Sequence, residues 1–402
     1  MSRIGVQGFQ TGRLDQILAA RRLSQAQLAA MVGVAPATIS KWRTGAQPPE
    51  REALDRLASV VNVSPEWFTR PVVPKKSMTL FRSNASAHVA ARNMLSARIE
   101  WAEDVAVALS DFVDFPDLNL PTRNYENPEE ITTEDIEQAA CECRELWRLG
   151  RAYIQDLALA AESAGVILIR EETGVAQIEG LSTWSDCLNR PLVLLSADKD
   201  NGYRSRFDLA HELGHLVLHR HIKRPTEQER FKMLEQQAHR FAGALLLPAD
   251  TLARDVRIPP TLDDLLLLKH RSGVSVGAII MRLHAIELLD DAGKLALFKS
   301  RSYKWGAKSE PGDNDRAPEQ PRLLKRTIDL LVDEKVMPLE SIPKHIGLSD
   351  SDVEMLAGLP EGYFKGRTDN VVQFARLKSS TPFTRKNDSG SVLVPFSQSS
   401  KR

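Results

Sequence analysis

The stretch RFDLAHELGHLVLHRH, Arg206–His221, decides how the rest of this 402-residue chain is read. It holds four of the nine histidines. Two of them stand four apart with a glutamate after the first: His211-Glu212-Leu213-Gly214-His215. On a helix, at about 100° per residue, Leu209, Leu213, Leu216 and Val217 form one stripe that faces a core. His211 and His215 fall on the opposite side, one turn apart. Both imidazoles can then reach one ion at about 2.1 Å. Glu212 lies too far round to be the natural third ligand, but it is well placed to hold a water on the metal. Zinc peptidases divide the labour this way: two histidines bind and the glutamate is the base. A His-rich surface helix and a structural ion are the competing readings.

The third ligand should come from a later helix packed on this one. The run FKMLEQQAHRFAGALLLP, Phe231–Pro248, has an apolar stripe at Phe231, Leu234, Ala238, Phe241 and Leu245. Glu235 and His239 are four apart and share a side of it. Either completes a three-ligand site whose fourth position stays open for water. His219, one turn further along the first helix, is the remaining rival, and His221 is less well placed.

The first seventy residues follow a different logic. Leu14, Ile17 and Leu18 have the spacing of a buried helical stripe. Ser24 with Gln27 three residues on is a capping-box start. Leu28, Ala29 and Val32 line the inner face of that short helix. Gly33 suits a tight turn, and Pro36 suits the first position of the next helix. Ile39 and Trp42 point inward, and REALDRLASVVNV is a further amphipathic helix. Two short helices about a glycine turn make a helix-turn-helix bundle. A protein-interaction module is the bland alternative.

Bulk composition sets limits. Lys+Arg and Asp+Glu are equal at 53 each, so no whole-chain field draws the protein to nucleic acid or membrane. Any DNA contact must come from a local patch. No apolar run approaches the ~20 residues of a membrane span, and the N-terminus lacks the apolar core of a signal peptide. Cys141, Cys143 and Cys187 form no disulfide framework and no zinc-site spacing. They read as reduced thiols of a cytoplasmic protein.

Helical patterns run from about Ser86 to Phe112 and from Thr132 to Trp147, with a long polar loop between them. AYIQDLALAAESAG is helical, and VILIR and PLVLLS are short strands. Helices cover Ser205 to His219 and Thr226 to Leu246. LDDLLLLKHRSGVSVGAIIMRLHAIELL gives two more about a Ser-Gly turn. Polar composition from Ser302 to Asp315 marks a linker.

The run SQAQLAAMVGVAPATISKWRTGAQPP resembles the Cro/repressor-like, or XRE, DNA-binding domains over nearly all of residues 12–68. In that family the second helix of the motif enters the major groove. The matching positions are Pro36, Ala37, Thr38, Ser40, Lys41 and Arg43, with Gln25 on the preceding helix. Pro36 and Ala37 depart from the polar residues common there. They make no side-chain hydrogen bond to a base, so direct readout is modest. Lys41 and Arg43 suit phosphate or guanine. Useful affinity for double-stranded operator DNA then needs a homodimer on paired half-sites.

A second resemblance lies in RSRFDLAHELGHLVLH followed by EQQAHRFAGALLLP, which looks like the ImmA/IrrE family of metallo-endopeptidases. More loosely it covers about residues 75 to 365, including Leu80–Ser83 and VILIR. It implies one Zn²⁺ ion on His211, His215 and Glu235, with Glu212 as base. His239 stands where Asn or Asp is usual, and so orients a ligand or binds the metal itself. Tyr203 and His219 are candidate donors to the oxyanion.

The expected fold is mainly α with a small β-sheet, an α+β chain. An all-α five-helix helix-turn-helix domain at 12–69 and a linker at 70–84 precede a zincin-like metallopeptidase domain at 85–300. A helical C-terminal region at 320–365 and a disordered tail at 375–402 follow. The expected function is a DNA-binding regulator that cleaves a repressor or antitoxin-type protein, or itself, on a signal. The alternative is a transcription factor or antitoxin whose metal domain is a sensor or scaffold.

Overall fold

Helices α1 (Thr11–Ala20), α2 (Gln25–Val32), α3 (Pro36–Thr44) and α4 (Arg51–Val61), with a 3-10 turn at Pro65–Thr69, are the five helical pieces expected of the N-terminal block. The capping box at α2 is made: the Ser24 hydroxyl accepts from the Gln27 amide at 3.2 Å, and Gln27 Oε1 accepts from the Ser24 amide at 2.9 Å. These elements belong to a computed structural model that describes residues 5–72, 80–81, 89–174, 179–223, 227–306 and 309–365. The expected tail at 375–402 and most of the expected linker lie outside the described residues, as do Arg82 and Ser83 of the family-like LFRS run.

Strand β1 (Leu80–Phe81) leads to α5 (Val89–Ser110), a 3-10 turn at Pro128–Glu130, α6 (Thr133–Leu146) and α7 (Leu157–Ser163). The helix expected in AYIQDLALAAESAG forms only in its second half. Ahead of it, the carbonyls of Ile154 and Gln155 turn to accept from Arg206, at 2.5 and 2.6 Å.

Strands β2 (Ile167–Glu171) and β4 (Arg190–Ser196) fall where VILIR and PLVLLS were read. Between them in sequence lies β3 (Gly180–Ser185), which the pattern did not predict. The sheet order is β1-β3-β4-β2, parallel only between β2 and β4. Alternation divides two cores across it. Ile167, Ile169, Leu192 and Leu194 face one core, and Leu168, Val193 and Leu195 face the other. Strands buried on both faces read as continuous apolar runs, which is why these two were legible.

The second core is helical. It is built from α6, α7, α8 (Gly202–Leu218), α9 (Gln228–Leu246), α10 (Ala249–Asp255), α11 (Leu262–Ser272) and α12 (Val276–Ala285). Helix α13 (Asp291–Trp305) takes up the start of the stretch read as a linker at 302–315. The described remainder of that stretch is a packed strap. Glu310 accepts from the Val276 and Gly277 amides at 2.8 and 3.0 Å, capping α12, and pairs with Arg301 at 2.9 Å.

The chain ends its described part in α14 (Leu323–Asp333), α15 (Ile342–Ile346) and α16 (Asp350–Ala357), the helical region expected at 320–365. These helices share the first core with α5 and the whole N-terminal bundle. The bundle is therefore no bead on a tether. Arg70, read as the first linker residue, donates to the carbonyls of Ile346 and His345, each at 2.6 Å. The Ser64 amide donates to Gly347 O at 2.9 Å, and Trp67 meets Trp101 edge to face at 5.8 Å.

Candidate functional site

Helix α8 runs through the middle of the second core, buried on nearly every side. The Leu209, Leu213 and Val217 side packs into that core as expected. The histidine side faces α9 rather than solvent. Contact between the two helices is close at Gly214, where an added Cβ would lie 3.1 Å from Phe241 and 3.2 Å from the Ala238 backbone. That approach brings Glu235 over the two histidines. Gly214→Ala is expected to push α8 and α9 apart by a few tenths of an ångström. Overpacking costs about 1–3 kcal/mol, against about 1 kcal/mol regained in helix propensity. Metal affinity should fall further than thermal stability does, and chelator competition beside thermal unfolding checks it.

His211 Nε2 and His215 Nε2 are 3.1 Å apart. Each lies 3.4 Å from an oxygen of Glu235. Ligand atoms about 2.0–2.1 Å from one tetrahedral ion are about 3.3–3.4 Å from each other, so this trio has the spacing of a single zinc site. A second trio shares two members: the ligand atoms of His211, Glu235 and His239 lie within 4.8 Å of one another. The 3.1–3.4 Å spacing belongs to the set that includes His215. His239 Nδ1 donates to the Glu235 carbonyl at 2.6 Å, because a carbonyl only accepts, and its ring stands edge-on to His211.

The donor set fits the ion. Burial pushes the His211 pKa down to about 3, so its imidazole is neutral, as a ligand must be. Burial works against the Glu235 charge, but the His211 and His215 side chains beside it outweigh burial and hold the carboxyl well below its usual range. Two neutral imidazoles and a carboxylate are a donor set that zinc takes.

Glu212 is 3% exposed, beside the trio on α8. The Ser182 hydroxyl on β3 donates to Glu212 Oε2 at 2.7 Å. A Cβ at Gly180 would come within 3.3 Å of Glu212, so that glycine leaves room for the carboxylate. Ser182 was not foreseen, since β3 itself has no strand pattern to be read. His219 lies behind His215, with Nδ1 to Nδ1 at 2.9 Å, and burial holds it neutral, well below its ordinary pKa. It faces away from the trio, neither a third ligand nor an oxyanion donor. Tyr203 is also placed apart. It sits two turns from His211, about 12 Å along the axis, and its hydroxyl meets His270 Nδ1 at 3.2 Å.

Glu235 and His239 open onto a cleft of about 1640 Å³. Apolar Phe207, Phe231 and Met281 and basic Arg204 and Arg240 line it, and the turn at Pro128 forms one lip.

On the N-terminal bundle, Pro36, Ala37, Lys41 and Arg43 of α3 are exposed, while Thr38, Ser40 and Gln25 are half-buried. Gln25 and Arg43 are tied to each other. Gln25 Nε2 donates to Pro36 O at 3.0 Å, and Arg43 donates to Gln25 Oε1 at 3.2 Å and to Asp15 at 2.7 Å. Lys41 is the cation that this network leaves out. All three cysteines are free. No described helix is long and apolar enough to cross a membrane.

Residues 14–68 match the family model of a helix-turn-helix domain. Residues 161–284, which include both histidines, Glu212 and Glu235, match the model of the IrrE N-terminal-like domain, a peptidase family. No curated protein matches the chain. The chain thus carries a segment similar to helix-turn-helix domains of the XRE type ahead of one similar to metallopeptidase-type domains of the ImmA/IrrE kind.

Proposed function

We propose that this chain is a cytoplasmic regulator that binds operator DNA as a homodimer and carries a working zinc endopeptidase. Its substrate is a repressor or antitoxin-type protein, or the chain itself, cut on a signal. The observation that carries the reading is the convergence of His211, His215 and Glu235 at 3.1–3.4 Å with Glu212 alongside. His211, His215 and Glu235 would hold the ion. Zinc bound there supplies a water with a pKa of about 7 and a Lewis acid for a peptide carbonyl. Glu212 takes the proton from the attacking water and passes it to the leaving amine. Ser182 donates to Glu212 Oε2 and so holds the carboxylate in place for that work. The cleft admits an extended chain, and its lining, apolar side chains mixed with charges of both signs, suits a polypeptide.

One observation favours the second reading, a sensor or scaffold without turnover. His239 lies close enough to His211 and Glu235 to take the fourth position and close the site to water. Zinc content and cleavage separate the two. The first reading expects about one zinc per chain and cleavage of a repressor-type protein that stops on chelation. A zinc-loaded chain that binds its operator and cuts no such protein supports the second.

For the DNA half, Lys41 of α3 is read as a phosphate contact. Lys41→Ala is expected to weaken binding across sequences and to reduce the salt slope by about one. Binding that does not respond to salt would sink the DNA-reading role.

A further inference from the structure

We propose that Gln237 and His219 are positioning residues that set the tautomer of His215 and tie it to the lip of the cleft. This rests on reading His211, His215 and Glu235 as a zinc site. The chain of bonds starts at a group whose direction is fixed. Pro128 O accepts only, so the contact at 2.7 Å from Gln237 Nε2 places the Gln237 amide NH₂ on that side. Gln237 Oε1 then faces His219 Nε2 at 3.0 Å, and His219 Nε2 must carry a proton to donate. His219 is 1% exposed, among neutral partners, so a second proton on its ring would bury an uncompensated cation. Its Nδ1 is therefore an acceptor, and His215 Nδ1 donates to it at 2.9 Å. With its proton there, His215 presents a bare lone pair at Nε2, the atom that faces His211 and Glu235.

His211 has no such support: its Nδ1 is buried without a partner among the described residues. Orientation of the pair thus falls on His215. The relay begins outside the metal site, in the 3-10 turn that lines the cleft. The same turn is held from the other side by Arg230, which donates to Glu129 at 2.7 and 2.8 Å. Gln237 and Arg230 both sit on α9, the helix that carries Glu235. A polypeptide pressing on the lip therefore presses on the tautomer and aim of a metal ligand.

The test uses the full-length chain and zinc alone, with affinity read by competition against a chelator. Gln237→Ala and His219→Ala are each expected to weaken zinc binding about 10–100-fold, as loss of a ligand's hydrogen-bond partner does. The double variant should bind no more weakly than His219→Ala, because both act in one chain. Gln237→Glu keeps the acceptor toward His219 but loses the donor to Pro128 O, and so should hold zinc more tightly than Gln237→Ala does. Nitrogen NMR of the zinc-free chain should find the His215 proton on Nδ1 in the wild type and shared between both nitrogens in Gln237→Ala. A merely structural contact would not move that signal. Wild-type affinity in Gln237→Ala, additive losses, or His215 protonated at Nε2 in the wild type would overturn the relay alone. A wild-type chain that binds no zinc would overturn the metal site and the relay with it.

Discussion

Glu212→Gln is expected to keep zinc at the wild-type level and to lower cleavage about 10²–10⁴-fold, the usual contribution of a positioned base. The substitution keeps the shape of the side chain and leaves His211, His215 and Glu235 untouched, so nothing in it disturbs the ligands. It removes the one property that the mechanism asks of position 212, a lone pair basic enough to take a proton from water. The Ser182 hydroxyl can rotate to meet an amide as readily as a carboxylate, so the buried pair stays satisfied. Folding stability should therefore change little. His211→Ala makes the contrast, since it should lose the zinc itself. Metal analysis and cleavage of the same repressor-type protein by each variant give the comparison. If Glu212→Gln cuts at the wild-type rate, Glu212 is not the base, and the proposed mechanism falls.

The parts of this site that were legible in the sequence are those that helical periodicity carries. His211, His215 and Glu212 lie within one turn of each other, and Glu235 shares a face of a strongly patterned helix. Their convergence needed only that α8 and α9 pack, which Gly214 allows. Ser182 was not legible for the opposite reason. Strand β3, GLSTWS, has little apolar alternation: Ser182 bonds Glu212 and Ser185 accepts from the turn that follows. Its strand form comes from pairing with β4, which no local pattern announces. Tyr203 misled because nearness in sequence was taken for nearness in space; two helical turns carry it to His270. The docking of the N-terminal bundle was hidden too. Arg13, Arg21, Arg98 and Asp352 stand in no motif, and their partners lie up to 331 residues away. Proline at 71 and 74 forbids a continuing helix there, but gives no reason for the domain before it to swing free.

That docking makes the largest expected effect on stability. Asp352→Ala should destabilise the chain by about 3–5 kcal/mol, the cost of breaking a buried ion pair by removing one partner. Asp352 is 2% exposed and stands where three parts of the chain meet. It accepts from Arg21, just past the end of α1, at 2.7 Å and from Arg98 of α5 at 2.9 Å, while the Ser349 hydroxyl bonds it from its own helix start. Arg98 also pairs with Glu171 at the end of β2, at 3.2 Å. Removal of the carboxylate leaves Arg98 short of a counter-charge and frees Arg21, so the bundle loses its grip on α16 and through it on the sheet. Protease cutting between the bundle and α5 should rise in step with the loss of stability.

The acid response identifies the charge as the cause. Burial works against the Asp352 carboxylate, but the hydrogen bonds and charges of Arg21, Ser349 and Arg98 outweigh it and hold the pKa below its ordinary value. A group depressed in the folded state contributes stability above its unfolded pKa of about 4, and that contribution is lost as pH falls through the folded value. The gap in unfolding free energy between the wild type and Asp352→Asn should thus be full at neutral pH and shrink below about pH 4. Other titrating groups act on both chains alike and cancel in the difference. A gap that stays constant down to acid pH would mean that Asp352 holds the bundle by shape and not by charge.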